Sequence, residues 1–180
     1  CRMCGGKFSS KIAKEEQKIY GNSYYIDHKI DSNTTQQILE NIEENIDNIE
    51  NVYFAGGEPL IMESTYKILD IFLKYNKKDV KIKYNTNFSI LKYKSYDAIE
   101  YWNKFSNIEI GASIDAIGDI SQYVRHGVDY NVIEKNYYHL RQNCSHVVFC
   151  LDSVLHALNV NSLQELQKRW IQDIGLNPTN

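Results

Sequence analysis

Apolar residues along this chain fall into two rhythms. From Asn33 onward, Ile38, Leu39, Ile42, Ile46 and Ile49 recur at steps of one, three or four, the spacing of a helix with one buried stripe, and Ser32, Asn33 or Thr34 can cap it. A short apolar run at 52–55 then predicts a strand. The alternation repeats: helix over 62–75, strand over 80–84, helix over 95–105, strand over 108–114, helix over 129–143, strand over 147–151, and a closing helix over 162–174 that ends at Gly175 and Pro178. Four strands alternating with helices predict parallel strands joined by right-handed crossovers. A doubly wound sheet and part of a (β/α) barrel both fit that pattern. The first segment, residues 1–31, has no clean period and carries Gly5, Gly6, Ser9, Ser10, Gly21 and Asn22, so it reads as a long loop with one short helix around Lys11 to Lys18.

Each strand is followed by a polar or glycine cluster: Gly56-Gly57-Glu58-Pro59, Asn85-Thr86-Asn87, Ser113 with Asp115, and Asp152-Ser153. In parallel α/β proteins the carboxyl ends of the strands share one face, where ligands bind, so the four clusters are expected to converge.

Bulk composition narrows the classes of function. The chain of 180 residues is long enough for one hydrophobic core, and no Pro/Gly/Ser-rich stretch divides it. With 20 Lys+Arg against 23 Asp+Glu the net charge is −3, which leaves nucleic-acid binding unsupported. No apolar stretch approaches a membrane span, and no charged leader precedes an apolar run, so the expected setting is soluble and cytoplasmic. Four cysteines are too few for a disulfide scaffold and fit reduced thiols. His126, His139, His146 and His156 follow no ligand spacing.

The chain opens Cys1-Arg2-Met3-Cys4-Gly5-Gly6. Two thiolates separated by two residues suit zinc or an iron–sulfur cluster. Zinc would need a second ligand pair, and Cys144 and Cys150 are poorly spaced to give one.

Taken in order, Cys-Arg-Met-Cys, Ala55-Gly56-Gly57-Glu58-Pro59, Tyr84-Asn85-Thr86-Asn87, Ala112-Ser113-Ile114-Asp115-Ala116 and the later Arg125 resemble the landmarks of radical S-adenosylmethionine (SAM) enzymes. The resemblance is nearest to the branch with SPASM or twitch domains and covers nearly the whole chain. It implies a radical SAM core over residues 1–180, made of a cluster-binding loop and extension over 1–31 and repeated β/α units over 32–175. The implied fold is a partial (β/α)6 barrel of parallel strands without its first and last strands.

The same resemblance implies the site. Cys1 and Cys4 match the second and third cysteines of the family's C-x3-C-x2-C motif, Met3 its apolar position, and the first cysteine would stand four residues upstream of Cys1. Three thiolates hold three irons of a 4Fe–4S cluster, and the fourth iron is open to SAM. Gly56 and Gly57 would let backbone approach the SAM methionine moiety, Glu58 would add a charge-assisted hydrogen bond, and Pro59 would fix the strand exit. Ser113 and Asp115 would serve the SAM ribose or carboxylate, Arg125 its carboxylate, and Asn85 SAM or the substrate. Capping of the following helix is the plainer use of Ser113 and Asp115.

The implied activity is reductive cleavage of SAM to a 5′-deoxyadenosyl radical that takes hydrogen from a peptide or other macromolecular substrate, with a reductant such as flavodoxin or ferredoxin as partner. The alternative is a degenerate (β/α) module that binds a small ligand without cluster chemistry. A zinc-dependent hydrolase would need His or carboxylate ligands at strand ends that carry mostly Asn, Ser and Gly.

Overall fold

The computed structural model describes residues 10–21 and 32–176. Cys1, Met3 and Cys4 lie outside the described residues. Helix α1 spans Ser10–Tyr20, and α2, Ser32–Glu44, leads through a short turn to strand β1, Asn51–Phe54. Then come α3 (Glu63–Lys74), β2 (Lys81–Thr86), a small hairpin of β3 (Lys92–Tyr93) and β4 (Tyr96–Asp97), α4 (Ala98–Trp102) and β5 (Asn107–Ala112). The chain continues through α5 (Gly118–Val124), α6 (Tyr130–Asn143), β6 (Val148–Leu151) and α7 (Leu163–Gln167), which widens into a π-helical turn over Lys168–Asp173. Among the described residues, no helix is long and apolar enough to cross a membrane.

The main sheet is wholly parallel, in the order β1-β2-β5-β6. The strands follow one another without reversal, so no switch point interrupts the order. Right-handed crossovers between strands laid down in one direction place their helices on one side. The side chains agree. Phe54, Tyr84, Ile110 and Phe149 are register neighbours across all four strands, and all are buried. The adjacent row, Tyr53, Lys83, Glu109 and Val148, points the other way and is half-buried or exposed. Parallel sheets are ordinarily buried on both faces. This one is apolar and covered on one face, and polar and open on the other.

The covered face is packed by aromatic groups. Trp102 of α4 meets Tyr84 edge-on at 5.6 Å and lies parallel to Phe88 at 6.5 Å between ring centres. Trp170 in the π-helical turn contacts Tyr137 of α6 and Phe149 of β6. Arg169 beside it makes a two-point ion pair with Glu134, at 2.8 and 2.7 Å, that ties this turn to α6.

Several elements differ from the pattern in the sequence, among them helix α5, which the periodicity does not announce. The helix expected over 95–105 contracts to Ala98–Trp102, because residues 92–97 form the hairpin and Asp97 caps α4 by accepting from the Ile99 N–H at 2.9 Å. The closing helix is broken into a 3₁₀ turn, α7 and the π-helical turn rather than running unbroken over 162–174. Strand β5 stops at Ala112, not at 114: the Ser113 N–H still reaches the Thr86 carbonyl at 2.8 Å, and the chain then leaves the sheet.

Candidate functional site

The clusters that follow the strands do meet. At the carboxyl ends of β1, β2, β5 and β6 their side chains bond to one another and form a continuous rim. After β1, Gly56 and Gly57 take φ of 83° and 58°, a conformation that glycine adopts without strain. Among the described residues, none but their chain neighbours comes within 4 Å of where a side chain at either would begin.

Glu58 turns along the rim. One carboxylate oxygen accepts from the Thr86 hydroxyl and the Leu60 N–H, and the other accepts from the Asn87 N–H at 2.7 Å. Glu58 therefore fastens the exit of β1 to the exit of β2. Pro59 begins the 3₁₀ turn that follows, and its ring is buried.

Burial pushes the Glu58 carboxyl above its ordinary range, against the opposing pull of those three donors. A carboxyl raised on folding contributes most to stability at acid pH, below its unfolded value, and that contribution disappears as pH climbs through the folded value. The stability margin of the natural chain over Glu58→Gln is thus expected to shrink from acid toward neutral pH. Urea midpoints across that range measure it; a constant margin would assign Glu58 no titration on folding.

Asp115 is buried on the rim beyond β5. Its Oδ2 accepts from Arg125 Nε at 2.7 Å and its Oδ1 from the Val154 N–H at 2.9 Å, so it binds the segment after α5 and the segment after β6 to the same point. Its backbone carbonyl accepts from Asn159 Nδ2 at 2.8 Å. Arg125 also donates from Nη1 to Asn87 Oδ1 at 2.9 Å, which leaves Nη2 without a partner among the described residues. The guanidinium is thereby aimed by one side chain from beyond β2 and one from beyond β5. Ser113 is half-buried. Neither Ser113 nor Asp115 caps α5, whose N-cap position is held by Ile117 with no side-chain bond.

Asn85 takes part in a second arrangement, on the open face just below the rim. With its amide oriented to satisfy both neighbours, Asn85 accepts from the Tyr53 hydroxyl at 2.9 Å and donates to Asp152 Oδ2 at 3.0 Å. The chain of bonds crosses from β1 over β2 to the residue after β6, passing above Gly111 of β5. A β-carbon on Gly111 would sit 2.0 Å from Asp152 Oδ2 and 2.7 Å from the Asn85 amide nitrogen of that orientation, so a side chain there would push both groups out of this arrangement. Tyr53 and Gly111 were not among the residues expected from sequence; a lone glycine inside a strand pattern was the signal for such an approach.

In the next row down, Lys83 reaches Glu109 at 2.6 Å and Lys81 reaches it at 3.4 Å. Elsewhere, Cys144 is buried, and burial lifts its thiol to about 11, which disfavours the reactive thiolate; Cys150 is half-buried on the open face. Among the described residues no group of three or more His, Cys, Asp or Glu is placed to hold a metal ion. A cavity of about 340 Å³ between α2, β1 and α3 is lined mostly by apolar groups and shares only Pro59 with the site residues named from sequence.

No protein-family model matches this chain, and a search of curated proteins also finds no match.

Proposed function

We propose that this chain is the core of a radical SAM enzyme acting on a peptide or other macromolecular substrate, and that its sheet is four strands of a partial (β/α)6 barrel. The observation that carries the reading is the rim: Gly56-Gly57, Thr86-Asn87, Asp115 and Arg125, separate in sequence, are joined at the carboxyl ends of consecutive parallel strands. The one-sided sheet supports the barrel, since a barrel wall carries its helices on its outer side alone.

The residues present fit SAM in two respects. The Gly56-Gly57 turn offers backbone that no other described residue crowds, and Arg125 Nη2, without a partner among the described residues, suits a carboxylate. Glu58 and Asp115 spend their oxygens on Thr86, Leu60, Asn87, Arg125 and Val154, so they act as positioning residues that hold the two binding elements in place. Cys1 and Cys4 are the cluster ligands in this reading, with Met3 between them. Together, cluster and SAM supply a carbon radical that takes a hydrogen atom from substrate, while the protein binds, orients and shields them.

The test uses the full-length gene product, reconstituted anaerobically with iron and sulfide and given dithionite and SAM. Chromatography should show 5′-deoxyadenosine, and Cys1→Ala or Cys4→Ala should remove both the brown colour and the product. A formed cluster that yields no 5′-deoxyadenosine would overturn the reading in favour of a ligand-binding module.

A further inference from the structure

The open face of the sheet carries four charged side chains just below the rim, and they are not equivalent. Lys81 and Lys83 both turn to Glu109, Lys83 at 2.6 Å, so each oxygen of that carboxylate is occupied. Asp152 has no cation within ion-pair distance among the described residues. Its Oδ2 accepts from Asn85, and Oδ1 has no hydrogen-bond partner among the described residues. Lys83 acts on it only at coulombic range, because its ammonium bonds to Glu109.

The carboxylate is also held in a fixed place. It lies against the backbone of Gly111, in space that a β-carbon there would take from it, and Asn85, itself held by the Tyr53 hydroxyl, fixes one oxygen. Three strands and the segment after a fourth thus position one half-buried carboxylate oxygen over an open polar surface. An oriented, unpaired carboxylate favours a ligand that donates N–H and carries positive charge, because a charge-assisted hydrogen bond is about twice as strong as a neutral one. Tyr53 flanks it with an exposed ring, a surface that suits the alkyl stem of such a ligand.

We infer that Asp152, positioned by Asn85, Tyr53 and Gly111, is the group that recognises substrate on this face, and that the substrate presents a primary amine there, as a lysine side chain or a chain N-terminus does. The identification of the ligand as substrate rests on the function proposed above; the amine site itself does not.

The experiment is a titration of the isotopically labelled 180-residue chain with n-butylammonium, followed by amide chemical shifts, with n-butanol and butyrate as comparisons. The ammonium should move the amide signals of Tyr53, Asn85, Gly111 and Asp152 and saturate with a Kd on the order of 10 mM or below. Asp152→Asn, which keeps shape and removes charge, should weaken this at least ~10-fold.

Gly111→Ala is the second variant. It leaves Asp152 in the sequence but displaces its carboxylate, and should weaken binding comparably, with the dispersion of the spectrum reporting that the fold survives. Equal binding of n-butanol, preference for butyrate, or an unchanged Kd in Asp152→Asn would each overturn the inference. Amine binding without SAM cleavage by the full-length product would leave the site standing and remove the proposed reaction. SAM cleavage without amine binding would do the reverse.

Discussion

Asp115→Ala is expected to cost about 3–5 kcal/mol, because it strands a buried guanidinium rather than merely deleting a bond. The carboxylate is 1 % exposed and the Arg125 side chain 12 %, so the guanidinium left behind would keep its bond to Asn87 but have little water to replace the lost partner. The same substitution removes the acceptor of the Val154 N–H, and with it the link between the segments that follow β5 and β6. Urea unfolding should show a lower midpoint with an unchanged slope, the sign of lost stability without lost compactness. The double variant Asp115→Leu with Arg125→Met should recover much of the loss, since two apolar groups leave no uncompensated charge. If the double variant is as unstable as the single one, the cost lies in the backbone link to Val154 instead.

Trp102→Ala should be comparably damaging, at about 3–5 kcal/mol. Helix α4 has only five residues and cannot persist on its own propensity; it is kept by Ala98, Ile99 and Trp102, all buried. Trp102 fills the space between Tyr84 of β2 and Phe88 of the segment after it, so truncation opens a cavity against the centre of the sheet. Trp102→Phe retains a ring in that space and should lose much less. Thermal unfolding followed by circular dichroism orders the three proteins. A Phe variant no better than Ala would mean that the indole is needed for more than its volume.

The regular part of this architecture is written in its periodicity. Ile82, Tyr84, Ile108 and Ile110 alternate with Lys81, Lys83, Asn107 and Glu109, and that two-residue rhythm marks both the strands and their buried sides. The clusters after the strands were legible because parallel strands must bring their ends together. The hairpin was not legible, because strands of two residues are too short to show a period and its turn places Lys94 at a φ of 54°, where glycine or asparagine would ordinarily give the signal. Helix α5 was hidden for a related reason: it buries only Ser121 and Val124, too few for a stripe.

Within the site, composition could nominate Glu58, Asp115 and Arg125 but could not say what they touch. A carboxylate that faces a ligand and one that faces its own backbone have the same letter. The carboxylates of Glu58 and Asp115 proved to be joinery, while Asp152, passed over in sequence as one polar residue among several, keeps an oxygen without a partner among the described residues.

The division of the sheet into a sealed side and an unsealed one separates two kinds of inherited constraint. Changes at Phe54, Tyr84, Ile110 or Phe149 must be matched by neighbours, whereas Tyr53, Lys83, Glu109 and Val148 can be exchanged while the aromatic packing behind them stays as it is. A library of variants confined to those four codons would therefore sample new molecular preferences on an unaltered frame, and lineages could diverge in diet without first relearning how to fold.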